Sequence, residues 1–175
     1  LYCCPGNPGT ENIATNISMS SNDDECILNF CLNNKIDLVI IGPEQPLVDG
    51  LADYLRNSRI KVFGPSAKAA QIESSKIFAK KIMNDAGVPT AKYMEFSDTQ
   101  LNQTKDYLNT AIYPLVIKAD GLAAGKGVLI CNNISEADSA VTNIFEEKIF
   151  GKSGNKIIIE EFLIGEEASI FAVTD

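Results

Sequence analysis

Two lysines and a run of small residues stand together in Lys118-Ala119-Asp120-Gly121-Leu122-Ala123-Ala124-Gly125-Lys126-Gly127. Glycines let backbone amides approach phosphate oxygens closely, and ammonium groups at the base (Lys118) and tip (Lys126) of the turn can neutralise them. The segment reads as a loop that closes over a polyphosphate; the alternative is an ordinary glycine-rich hairpin with two solvated lysines. A Walker loop does not fit. Gly121 to Lys126 has one residue too few between its glycines, and Gly127 stands where serine or threonine would hold magnesium. The chain also leaves the turn as Val128-Leu129-Ile130, a strand rather than a helix.

Further candidates are more ambiguous by themselves. Lys76 lies early in a helix, where a cation is poorly placed for the helix dipole but can share an anion with the helix terminus. The ordinary fate of such a lysine is solvation. The apolar strand Lys156-Ile157-Ile158-Ile159 ends in Glu160 and Glu161, either a binding edge or simply a strand tip reaching water. Asn7, Gly42, Pro43 and Glu44 follow strand-like runs, as turn residues do. They also sit where parallel α/β sheets bind ligands, at the carboxyl ends of strands. Histidine is absent, so catalysis must rest on lysines, carboxylates and backbone amides. Cys26 and Cys31 are too poorly matched on a helix face to suggest metal ligation.

The elements that would carry these residues follow from periodicity. Strands are expected at Leu1 to Cys4, Ile13 to Ile17, Asp37 to Gly42 and Lys61 to Pro65, separated by helices over Asn22 to Asn34 and around Pro46 to Leu55. The run Leu38 to Ile41 is continuously apolar, as in a strand buried on both faces of a parallel sheet. One helix is expected over Ala67 to Ala86, ending at Gly87 before Pro89, with a domain boundary near Glu73. Then come strand (Lys92 to Phe96), helix (Thr99 to Asn109), strand (Pro114 to Lys118), strand (Gly127 to Cys131), helix (Glu136 to Ile149) and strand (Lys156 to Phe162). Ser135 with Asp138 suggests a capping box, and the strands flanking the glycine turn suggest an antiparallel hairpin.

The glycine-rich segment resembles the lid of ATP-grasp ligases, and Lys118 to Val128 is very similar to its form in the phosphoribosylamine-glycine ligase family. Four more motif groups agree in order: Pro5 to Thr10, Val39 to Leu47 with Phe63-Gly64-Pro65, Ala69 to Lys76, and Glu160 to Glu167. The resemblance covers essentially the whole chain. It implies an α/β fold: an incomplete parallel Rossmann-like domain over residues 1–72, its first strand missing, followed by the first part of an ATP-grasp domain over residues 73–175. An α+β lid subdomain is expected over about 92–162. It further implies that Lys76 and Lys118 contact ATP phosphates and that Gly125, Lys126 and Gly127 belong to the lid. Glu160, Glu161, Phe162 and Leu163 would form the adenine hinge, and Glu167 would bind the ribose hydroxyls, which a carboxylate can accept. Asn7, Gly42, Pro43 and Glu44 have a claim on the phosphoribosylamine site. The implied reaction joins glycine to 5-phosphoribosylamine at the expense of ATP, with magnesium held by residues beyond 175.

The chain opens in a strand-like run without methionine and stops just after another, as a piece of a longer polypeptide would; the piece alone is expected to be inactive. Its formal charge of -8 opposes a nucleic-acid partner. No apolar run approaches the ~20 residues that span a bilayer. Five cysteines without a CxxC pair suggest reduced thiols and a cytoplasmic setting. Other readings of the same features are a different ATP-grasp ligase, a nucleotide-binding regulatory module and, more weakly, a dinucleotide oxidoreductase.

Overall fold

The computed structural model describes residues 1–123 and 125–173. It divides into two units, Leu1–Ser74 and Ser75–Asp175.

In the first unit, β1 (Tyr2–Cys3) pairs in parallel with β2 (Thr15–Asn16) after a 3-10 turn at Thr10–Asn12. Helix α1 (Asp24–Asn33) follows, its first turn capped by Asp23, whose side chain accepts from Cys26 N. Next, β3 (Val39–Ile40) pairs in parallel with β4 (Val62–Phe63), which the crossover through the intervening helices permits. Between them the expected single helix is two: α2 (Glu44–Asp49) and α3 (Leu51–Asn57), parted at Gly50. Gly50 has φ +99°, a left-handed conformation that ends one helix and is available to glycine without strain. Helix α4 (Ala67–Ser74) closes the unit, with Asp53 accepting from Ala67 N at 2.8 Å. Ile27, Cys31, Leu47, Leu51, Leu55 and Ala70 pack into its core. The two parallel pairs are separate two-stranded sheets, with an apolar groove of about 240 Å³ lined by residues of both, including Tyr2, Val39 and Ile40.

The helix expected over 67–86 breaks at Ser75, which is extended (φ -133°, ψ 113°) and caps a new helix, α5 (Lys76–Asp85), by accepting from Phe78 N. Serine satisfies an orphan amide there that helix continuation would have satisfied otherwise. Then come β5 (Tyr93–Ser97), α6 (Leu101–Leu108), β6 (Leu115–Ala119), β7 (Val128–Cys131), α7 (Ile134–Phe145) and β8 (Lys156–Glu161). Helix α7 starts and stops earlier than expected. Its cap is Asn133, accepting from Glu136 N, rather than Ser135, and the Glu136 carboxylate accepts in turn from Asn132 N at 2.9 Å.

The four strands form one sheet in the order β5-β8-β6-β7, all antiparallel, with β6 and β7 making the expected hairpin. Side chains alternate between sheet faces. Leu115, Ile117, Ile157 and Ile159 share one face, packing with Val141, Ile144 and Phe145 of α7. Val116, Lys118, Ile158 and Glu160 therefore take the other face. The run Ser169 to Val173, strand-like in sequence, is exposed and has no strand assignment; Ala124, Thr174 and Asp175 lie outside the described residues.

Candidate functional site

Register gathers the charged groups of the sheet's second face. Glu160 on central strand β8 is paired with Val116 on β6 and with Tyr93 on β5. Lys118, two residues beyond Val116, is the diagonal neighbour of Glu160, within reach of a long side chain. Its Nζ lies 2.8 Å from Glu160 Oε2. Helix α5 supplies a second cation that the sequence reading overlooked, Lys80, whose Nζ lies 3.1 Å from Glu160 Oε1. That ammonium also donates to Thr90 Oγ1 at 2.6 Å and to the Ala91 carbonyl at 3.2 Å, and stands 5.4 Å from the Tyr93 ring centroid. It meets Oε1 off the hydrogen-bonding direction, so Oε1 has an ion pair but no well-directed hydrogen bond among the described residues.

Burial grades the three groups. The side chains of Glu160 and Lys80 are 5% and 10% exposed, that of Lys118 28%. A carboxylate this buried must be paired, and here two ammonium groups share one. The cluster keeps one formal positive charge, and Lys118 is the member that faces outward. Such an arrangement favours a bound anion.

Lys76 comes to the same strand end by a different route. As the first residue of α5, it donates from Nζ to the Gly121 carbonyl at 3.2 Å and from its backbone to the Asp120 carbonyl at 3.3 Å. Asp120, also without an assigned role in the sequence reading, fastens the helix start. Its carboxylate accepts from Ile77 N at 2.8 Å and from Ser75 Oγ at 3.0 Å, the place where an acidic group suits the helix dipole. No local signal marks this role, because Ser75 falls inside the single helix expected over Ala67 to Ala86 and Asp120 lies 45 residues further on.

The glycine-rich turn connects β6 to β7. Gly125 has φ +76° and needs glycine for that reason. Gly127 needs it for space, since a Cβ there would lie 2.7 Å from Ala123 Cβ. Its carbonyl accepts from Ala119 N at 2.9 Å, closing the turn's base, while Lys126 is exposed near the tip. At the end of β8, Glu161 turns back on its own sheet and its Oε1 accepts from Lys92 N at 2.9 Å. Phe162, Leu163 and Glu167 lie in the exposed, irregular segment beyond.

In the first unit, Asn7 follows β1 and its side chain is engaged locally, accepting from Gly9 N at 2.8 Å and Thr10 N at 3.2 Å. Its carbonyl accepts from Asn16 Nδ2. Gly42, Pro43 and Glu44 are exposed where β3 passes into α2. A Cβ on Gly42 would meet nothing within 4 Å, so neither space nor a left-handed backbone demands glycine there. Among the described residues, no three histidine, cysteine, aspartate or glutamate side chains gather as a metal site. No helix among them is long and apolar enough to cross a membrane.

The match of the second unit to the model of an ATP-grasp domain places it in the ATP-grasp class. Residues 74–175 match the family model for the phosphoribosylglycinamide synthetase ATP-grasp (A) domain, and residues 1–73 match that for the N domain of the same synthetase. The chain is 45% identical over 175 residues to phosphoribosylamine--glycine ligase of Caldanaerobacter subterraneus, covering 100% of this chain and 42% of the relative. It superposes on the crystal structure of phosphoribosylamine--glycine ligase from Thermotoga maritima with TM-score 0.72 and 28% identity, covering 94% of this chain and 38% of that one. A biotin carboxylase domain from Hydrogenobacter thermophilus, solved with MgADP, shares the fold at TM-score 0.70 and 19% identity, over 93% of this chain and 38% of that one. The chain belongs to the phosphoribosylglycinamide synthetase family, and it spans about two fifths of the length of the curated relatives it matches.

Proposed function

We propose that the protein containing this chain joins glycine to 5-phosphoribosylamine, forming glycinamide ribonucleotide, ADP and phosphate, in purine biosynthesis. The observation that carries the reading is the outward-facing Lys118, held at the base of the glycine-rich turn by a carboxylate it shares with Lys80, in a chain whose family acts on these substrates by name.

A carboxylate resists attack by an amine because its charge repels the nucleophile. Transfer of the ATP γ-phosphoryl group to a glycine carboxylate oxygen releases ADP and leaves an acyl phosphate. The amine of phosphoribosylamine then attacks the carbonyl carbon, the amine loses a proton and phosphate departs with the oxygen that carried it. The protein's share is to hold reactants in line and offset charge.

In this reading Lys76 and Lys118 meet the phosphates, and Gly125, Lys126 and Gly127 close over them. The backbone from Glu160 through Glu161 and Phe162 to Leu163 borders the adenine, with Glu167 on the ribose. The loops at Asn7 and at Gly42, Pro43 and Glu44 face phosphoribosylamine, within a substrate domain of residues 1–72. Magnesium would be held by residues beyond 175, where it would offset the charge of the phosphates. The setting is cytoplasmic, without nucleic acid or membrane as partner.

The test is to incubate the full-length protein with ATP, magnesium, glycine and freshly generated phosphoribosylamine and to measure glycinamide ribonucleotide by mass spectrometry. Product that requires all three substrates supports the reading. ATP hydrolysis indifferent to glycine overturns it. Residues 1–175 alone are expected to make no product under the same conditions.

A further inference from the structure

We infer that Lys80 is a positioning residue for nucleotide binding: by neutralising Glu160 from beneath, it leaves the charge of Lys118 uncompensated and available to a phosphate. The inference rests on the phosphate reading of Lys118 and adds to it a residue that makes no contact with the ligand.

Glu160 offers one negative charge through two oxygens; Oε2 meets Lys118 at 2.8 Å and Oε1 meets Lys80 at 3.1 Å. Were Lys118 the sole counter-ion of a carboxylate only 5% exposed, the pair would be neutral and an approaching phosphate would compete with Glu160 for the same ammonium. Coulomb interactions at such separations are strong where water is excluded. Lys80 changes the balance. It is itself buried, and three further groups, the Thr90 hydroxyl, the Ala91 carbonyl and the face of the Tyr93 ring, hold its ammonium against Glu160. The contacts of Lys80 all lie within the fold, whereas Lys118 is 28% exposed and can also reach outward.

A buried ammonium on α5 is costly to keep unless it is paired, and a methionine would fill the same space without that demand. A lysine at this position is therefore explained by what its charge does. The three groups come from α5, β6 and β8, so the effect depends on the fold and not on sequence neighbours.

The experiment compares four variants of the full-length protein, each checked for native circular dichroism and thermal unfolding: Lys80→Met, Lys80→Arg, Lys80→Met with Glu160→Gln, and Lys118→Ala. Lys80→Met is expected to raise the ATP concentration for half-saturation by ~10-fold or more with a smaller effect on kcat, because Glu160 then neutralises Lys118. Lys80→Arg keeps the charge and should stay within ~3-fold of the parent protein. The decisive arm is the double variant. With both buried partners neutral, Lys118 is again uncompensated, and ATP binding should recover relative to Lys80→Met alone. A double variant as weak as or weaker than Lys80→Met shows that Lys80 is merely structural and overturns the inference, as does unchanged ATP affinity in Lys80→Met. If Lys118→Ala itself leaves ATP binding untouched, the phosphate reading beneath the inference fails instead; Lys118→Ala weakening ATP while Lys80→Met does not leaves that reading standing and sinks only the role of Lys80.

Discussion

The sheet face of the second unit and the strand-end loops of the first both carry groups proposed to meet ligands, and they hold them in opposite ways. Lys118, Glu160 and Lys80 reach each other from two strands and a helix, across 38 to 80 positions of sequence, and are fixed by ion pairs in a largely buried setting. Asn7 is fixed by amides two and three residues away, and Gly42 touches nothing that a methyl group would disturb. Charge that must be aimed at an anion is built by tertiary register, where burial magnifies it. A loop that only frames a substrate can be made from turn chemistry.

The sharpest way to break this contrast is Glu160→Ala. It strands two ammonium groups on a largely buried face, and removal of one partner from a buried ion pair costs about 3–5 kcal/mol. Urea unfolding of the full-length protein should show that loss; a change under ~1 kcal/mol would put the cluster in the class of exposed pairs. Lys118→Ala comes next. It should cost about 1.5–3 kcal/mol of ATP binding through a lost charge-assisted phosphate contact, read as the rise in KM, with less effect on folding than the loss of Glu160.

Two smaller effects sharpen the other side of the comparison. Asn133→Ala removes the α7 cap and should cost about 1 kcal/mol of stability without altering ATP use. The neighbouring Glu136 carboxyl is held below its ordinary range chiefly by the hydrogen bond from Asn132 N. Its contribution is therefore present at neutral pH and fades only as pH falls through that lowered native value. Gly42→Ala should change stability by no more than ~0.5 kcal/mol. If the loop meets phosphoribosylamine, the variant still raises the KM for that substrate alone; an unchanged KM for all three substrates would remove Gly42 from the site.

Much of the fold was legible because the signals are local. The run Lys156 to Phe162 reads as a strand from its isoleucines, and the structure has it at Lys156–Glu161. The hairpin follows from two apolar runs on either side of a glycine turn. The missed features depend on contacts that no window shows. Helix propensity alone does not break 67–86, yet Ser75 caps a new helix because Asp120 arrives from a strand 45 residues away. Ser135 has the residue type of a cap, but Asn133 makes the bond. Lys80 left a partial clue, since it lies three residues after Ile77 and three before Met83 on the apolar stripe of its helix. A lysine on a buried stripe calls for an acid, and only the register of β8 against β5 and β6 shows that the acid is Glu160.

The central claim is that glycine is activated as an acyl phosphate before the amine attacks, and one measurement reaches it directly. The full-length protein is supplied with glycine labelled with oxygen-18 in its carboxylate, together with ATP, magnesium and phosphoribosylamine, and the released phosphate is analysed by mass spectrometry. The account predicts that each phosphate released with glycinamide ribonucleotide carries one labelled oxygen from glycine. Unlabelled phosphate accompanying the same product would contradict it.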